Sequence, residues 1–334
     1  MNALRGFAAL VLLGPLSAWA QNSPAQDPSL KSYGQPATPK VVAYVQMALQ
    51  QGDLQSAAAI VAQYRKLFGD TPEALEAFSW LARGELAARH TGQALKDAEE
   101  IERISSASLA TRKMDAEPHL PLALGAAYEV QAEALYETGR RAEALQLLQS
   151  AMKTWRGTSL VDRLQKNINL MTLQGKPMPA LRETEWIGKK PQPASARRGK
   201  VLLLFFWAHW CADCKAEVPI ISKLAAEFEP KGLVVIAPTR LYGYTAQEEH
   251  AQPSVELPFI EKVYQKYYST IPNARVPVDS GNFQRFGAST TPTIVLVDRQ
   301  GIVRLYNPGA MEEAALRSAI EPLVAKQPPE RAAR

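Results

Sequence analysis

The chain has 334 residues, 46% of them hydrophobic, with a formal net charge of +5, a length that accommodates about two domains. Its only 2 cysteines, Cys211 and Cys214, exclude a structural disulfide framework and a four-cysteine zinc site. His90, His119, His209 and His250 do not lie at finger-like spacing from that pair, so no metal site is expected.

In chain order, Met1 to Arg5 form a short basic region and Gly6 to Leu16 an apolar one, followed by Ala18-Trp19-Ala20. This is the pattern of a cleaved signal peptide over residues 1–20. The apolar run is shorter than the about 20 residues needed to span a bilayer, although an uncleaved anchor is the alternative. No cysteine follows the signal, which excludes a lipoprotein anchor, and no later stretch is apolar enough to span. The expectation is an exported, periplasmic protein, soluble after cleavage, in a compartment where disulfides persist. Residues 21–38 are rich in Pro, Ser and Gln and read as a flexible leader.

Residues 39–173 are rich in Ala and Leu at helical spacing, as in Ala57-Ala58-Ile60-Val61-Tyr64 and Ala123-Ala126-Ala127-Val130-Ala134. Gly52, Gly92 and Gly139 are read as breaks between helices. Gly52 to Ala57 and Gly139 to Ala144 resemble the Gly-x-x-x-x-Ala turn of tetratricopeptide repeats, with Ala151 at the next small-residue position. Tyr64 is a departure at that position of the first match. The glycines are not spaced by the about 34 residues of a regular array. A tetratricopeptide-like set of helical hairpins and a plain helical bundle therefore both stand.

Residues 174–200 read as a linker and edge segment, broken by Pro177, Pro179, Pro191 and Pro193. The basic surplus sits here: Lys176, Arg182, Lys189, Lys190, Arg197, Arg198 and Lys200 against Glu183 and Glu185. Such a patch suits peripheral contact with a membrane or an acidic partner, or simply a solvated loop. It lacks the aromatic interleaving of a nucleic-acid site, so no nucleic acid is expected as a partner.

Residues 201–326 read as βα-β-α-β-β-α, with a tail at 327–334. Val201 to Trp207 is a buried strand, Cys211 to Phe228 a helix, and Gly232 to Ala237 a second, parallel strand. The polar stretch Thr239 to Pro258 is an insertion. Phe259 to Tyr268 is a helix, Val276 to Val278 a short extended piece, Thr293–Asp298 and Ile302–Tyr306 a hairpin, and Met311 to Leu323 the last helix.

Cys211-Ala212-Asp213-Cys214 thus falls at a strand-to-helix junction. The helix N-terminus supplies unpaired N–H groups and the positive end of the dipole, which stabilise a thiolate on Cys211. Cys214, about one turn on, is placed to resolve a mixed disulfide. A Cys-x-x-Cys in this setting is similar to the thioredoxin-fold active site. Glu217 and Pro219 extend it to the Cys-x-x-Cys-x-x-Glu-x-Pro run of TlpA/ResA-like thiol-disulfide oxidoreductases, and Pro219 should kink the helix. Thr290-Thr291-Pro292-Thr293 resembles that family's cis-proline loop. The resemblance runs from about Gly175 to Leu323. It implies an α/β thioredoxin fold after the helical domain. It implies catalysis by Cys211 and Cys214, a partner groove lined by Trp210, Thr291 and Pro292, and no cofactor.

The buried Asp of cytosolic thioredoxins is replaced here by Phe205, and Glu217 resembles the glutamate that takes over its proton-accepting role. The rival reading of Glu217 is a solvated helix charge. His209 is expected to be partly exposed and to favour the thiolate when protonated. Asp213 opposes it by raising the thiol pKa, which makes a poorer leaving group and favours a reductant, while Lys215 pushes the same way as His209, so both signs of the net effect stand. The expected partners are protein thiols or disulfides and an unidentified electron-donor protein. A thiol peroxidase would need Pro-x-x-x-Thr/Ser-x-x-Cys, absent around Cys211. A periplasmic copper(I) chaperone using both thiolates, and an interaction scaffold with a secondary redox domain, are the alternatives.

Overall fold

The computed structural model describes residues 38–188 and 197–325. The expected signal peptide, nearly all of the leader, the middle of the basic linker and the tail lie outside the described residues.

The N-terminal half is helical. Three antiparallel pairs follow one another: α1 (Lys40–Gln50) with α2 (Leu54–Phe68), α3 (Pro72–Ala87) with α4 (Thr91–Leu109), and α5 (His119–Glu137) with α6 (Arg141–Thr154). A seventh helix, α7 (Leu160–Thr172), packs against both α5 and α6. Caps fix where the chain restarts. Asp53 accepts from Ser56 N at 2.9 Å, and Thr71 accepts from Ala74 N ahead of Pro72 at the first helical position. Ala57, Ala94 and Ala144 are wholly buried where the helices meet, which is why small residues recur just inside the second helix of each pair.

Gly52 and Gly139 occupy turns with positive φ, as expected. The middle turn differs. Gly92 lies inside the first turn of α4, and the left-handed residue is Arg89, with φ 67°. Its side chain makes an ion pair with Glu137 at 2.6 Å, and the His90 N–H closes the turn on Glu85 O at 2.9 Å.

The C-terminal half is a thioredoxin-like α/β fold. Its four-stranded sheet has the order β3-β2-β5-β6, built from β2 (Val201–Phe206), β3 (Leu233–Ile236), β5 (Thr293–Val297) and β6 (Val303–Pro308). Strand β2 is parallel to β3 and antiparallel to β5, placing Leu204 opposite Ile236 and Val295. The chain arrives as an edge segment, as expected: Gly175 N and Met178 N donate to Val303 O and Gly301 O at 2.8 and 2.9 Å. Two short strands, β1 (Trp186–Ile187) and β4 (Val276–Pro277), pair beside the sheet.

All six residues of β2 are buried, and the strand's two-residue period divides them between two cores. Val201, Leu203 and Phe205 join the core formed with α8 (Ala212–Phe228), α9 (Pro253–Tyr267) and α11 (Glu313–Ala325). Leu202, Leu204 and Phe206 face the other core, with Leu173 and the Phe283 and Phe286 rings of α10 (Ser280–Phe286).

Two elements differ from those expected. Helix α10 was not anticipated, because only Phe283 and Phe286 of its 7 residues are buried apolar side chains. Helix α9 starts at Pro253 rather than Phe259, because proline is well suited to a first helical position. Helix α8 runs through Pro219 to Phe228, the span expected of it.

The two halves meet along α7 and α10. Gly287, at the C-terminal cap of α10 with φ +58°, brings its backbone so close to α7 that a Cβ there would collide with backbone atoms of Gln165 and Lys166. Leu173, directly after α7, is buried in the sheet's second core with Phe283 and Phe286.

Candidate active site

Cys211 is the N-cap of α8, immediately after the loop that leaves β2. It is joined to Cys214 in a disulfide, their Cα atoms 5.3 Å apart. Cys211 Sγ accepts the Cys214 N–H at 2.9 Å. An oxygen-bearing cap at this position would take one of the orphan N–H groups of the helix, and here sulfur takes it. That donor, with the helix dipole, favours negative charge on the sulfur once the disulfide opens. Cys214 is wholly buried, whereas Ala212 and Asp213 face solvent.

The two halves of the motif, some eighty residues apart, come together. The Thr291–Pro292 peptide is cis, and the Thr291 carbonyl oxygen lies 3.4 Å from Cys211 Sγ. Trp210 is half-buried beside the disulfide, its ring 5.7 Å from that of Tyr242. Trp207 anchors the motif from below: its Nε1 donates to Ala237 O at 2.9 Å, and its ring lies 4.1 Å from Tyr268.

Glu217 is 3% exposed, three residues beyond Cys214 on the same helix, so the two side chains share a face. It is not a solvated surface charge. Its Oε1 accepts the Met311 N–H at 3.0 Å. Burial pushes its carboxyl up to about 7, with Glu312 and Asp213 adding to the rise and the Met311 hydrogen bond opposing it. Phe205, the position of the buried Asp in cytosolic thioredoxins, is fully buried 6.5 Å from the Tyr268 ring.

His209 is not partly exposed but 3% exposed. The insertion, read as polar, closes over it. The rings of Tyr242, Tyr244 and Phe259 surround the imidazole at 5.4, 5.0 and 5.3 Å. Its Nε2 lies 3.6 Å from the carboxylate of Glu256, itself 1% exposed. Glu256 also accepts the Tyr242 and Gly243 N–H groups at 2.5 and 2.8 Å, pinning the start of the insertion to α9. Sequence reasoning singled out none of Tyr242, Tyr244 or Glu256 as site residues. The available signal was the clustering of Leu241-Tyr242-Gly243-Tyr244 in a stretch otherwise polar.

The basic surplus of the linker is partly neutralised. Arg197 pairs with Glu183 at 2.5 Å, with both side chains largely buried.

Comparison with known proteins finds similarity over the C-terminal half. Residues 174–306 match the AhpC/TSA family. The chain is 27% identical over 147 residues to the thiol:disulfide interchange protein DsbE of Pseudomonas fluorescens biotype C, covering 44% of this chain and 72% of that protein. It is 24% identical over 126 residues to the thiol-disulfide oxidoreductase ResA of Geobacillus thermodenitrificans, covering 37% and 63%. A solved thiol-disulfide isomerase from Corynebacterium glutamicum aligns with 20% identity and a TM-score of 0.38, over 45% of this chain and 97% of that one. The C-terminal half is a thioredoxin-like domain of the thiol-disulfide oxidoreductase class.

Proposed function

We propose that the protein is an exported thiol-disulfide oxidoreductase that works through Cys211 and Cys214 as a reductant of partner proteins. The observation that carries this reading is the Cys211–Cys214 disulfide at the start of α8, beside the Thr291–Pro292 peptide. In the reduced protein the Cys211 thiolate attacks a partner disulfide. One bond forms between Cys211 and the near partner sulfur, and the far sulfur leaves and takes up a proton. Cys214 then yields its proton to Glu217 and attacks Cys211. The Cys211–Cys214 disulfide forms, and the near partner sulfur leaves as the second thiol. Two electrons pass to the partner, and an electron-donor protein restores the dithiol.

Glu217 suits the middle step because a buried carboxyl titrating near 7 can both accept and return a proton at neutral pH. Trp210, Thr291 and Pro292 line the groove for an extended partner chain. Export rests on the signal-like residues 1–20. The helical half, read as tetratricopeptide-like hairpins, contributes to partner choice. The test is a Cys214→Ser variant, which cannot resolve. It should accumulate partner proteins as mixed disulfides on Cys211 that thiol reductant releases. Absence of reductant-sensitive adducts would overturn the reading.

A further inference from the structure

Arg240 joins the helical half to the exchange site. Its Nη1 donates to Asp162 Oδ2, in the first turn of α7, at 2.7 Å. The guanidinium lies over the rings of Tyr242 and Phe283, 5.1 and 4.8 Å from their centroids, a geometry in which the ring faces attract the cation. The Tyr242 ring meets Trp210, the residue directly before Cys211, nearly edge-on at 5.7 Å. A continuous path of contacts therefore leads from α7 to the aromatic wall beside the disulfide.

This ion pair is not what holds the two halves together. The backbone approach of Gly287 to α7 and the burial of Leu173 already do that. What the Asp162–Arg240 pair adds is the position of one ring. The backbone of Tyr242 is fixed from the α9 side by Glu256, and its hydroxyl donates to Trp207 O at 3.5 Å. Arg240, itself oriented by Asp162, braces the ring from the α7 side.

We infer that Arg240 is a positioning residue through which the helical half sets the Tyr242–Trp210 wall of the groove that receives a partner polypeptide. The inference rests on the exchange reading above. It makes the helical half a determinant of how well a protein disulfide docks, through a fixed contact and without any motion of the halves.

The test uses the full chain, with insulin disulfides as the probe and a dithiol as electron donor. Arg240→Gln and Asp162→Asn should each raise the KM for insulin about five-fold or more, the low end of coupling between distant groups, with a smaller change in kcat. The double variant should be no worse than either single one, because both break one path. Asp162→Glu and Arg240→Lys, which keep the charges, should recover most of the loss, and thermal melts of the same proteins report their folding. Unchanged KM in both single variants, or fully additive losses, would overturn the inference while leaving the exchange reading intact. A wild-type protein unable to reduce insulin would overturn both.

Discussion

Replacing Glu217 by Gln should have an effect on stability whose sign and size depend on pH. In the folded protein the Glu217 carboxyl titrates at about 7, against an ordinary value of 4.5, because it is buried. A group whose folded pKa is raised holds its proton more tightly when folded, so stability is full below the unfolded pKa and is lost as pH rises through the folded one. At 1.36 kcal/mol per pH unit, ionising Glu217 costs the folded state roughly 3 kcal/mol by pH 8. Gln keeps an acceptor for the Met311 N–H and carries no charge. Glu217→Gln should therefore match wild type in urea midpoint near pH 4.5 and exceed it by up to about 3 kcal/mol at pH 8. The same substitution removes the acceptor for the Cys214 proton. Stopped-flow exchange should show the resolving step slowed more than the first attack, by the roughly 10²–10⁴-fold typical of a lost acid–base group. Urea titrations at both pH values, run beside the kinetics, form the assay. A stability difference independent of pH, or an unchanged pH profile of exchange, would refute the assignment.

Reduced wild-type protein treated with limiting alkylating agent near neutral pH should label Cys211 before Cys214, read by mass spectrometry, because only Cys211 has the capping N–H. Gly287→Ala should lower stability by about 2 kcal/mol or more, since it combines a left-handed φ with a Cβ driven into the α7 backbone; an unchanged melting temperature would deny the tight contact between the halves. Glu256→Ala leaves the Tyr242 and Gly243 N–H groups without their acceptor, at about 1–3 kcal/mol each. Hydrogen exchange should then accelerate across residues 239–252 and little elsewhere.

The candidate site was legible because it lies in local residue identity. An apolar run, then Cys-x-x-Cys, then a helical pattern can be read in a single window, and Glu217 and Pro292 follow from their motifs. The helical nature of the first half was equally plain from alanine and leucine spacing. What the sequence did not disclose depends on partners distant along the chain. His209 is hidden because Tyr242, Tyr244 and Phe259 fold over it from the insertion and α9, and no periodicity announces that. Helix α10 is too short to show one, although its ends were signalled: Asp279 caps it by accepting from Asn282 N at 2.8 Å, and Gly287 closes it. The turn between α3 and α4 is not marked by its glycine, since Gly92 lies inside α4. Arg89 adopts the left-handed conformation instead, and the His90 N–H closes the turn on Glu85 O.

Turnover of insulin disulfides by the full chain, compared with Cys211→Ser, tests the central claim most directly. Wild-type protein should catalyse the reduction with a dithiol donor, and Cys211→Ser should fall to the uncatalysed rate while keeping its fold by circular dichroism. A folded Cys211→Ser protein as active as wild type would contradict it.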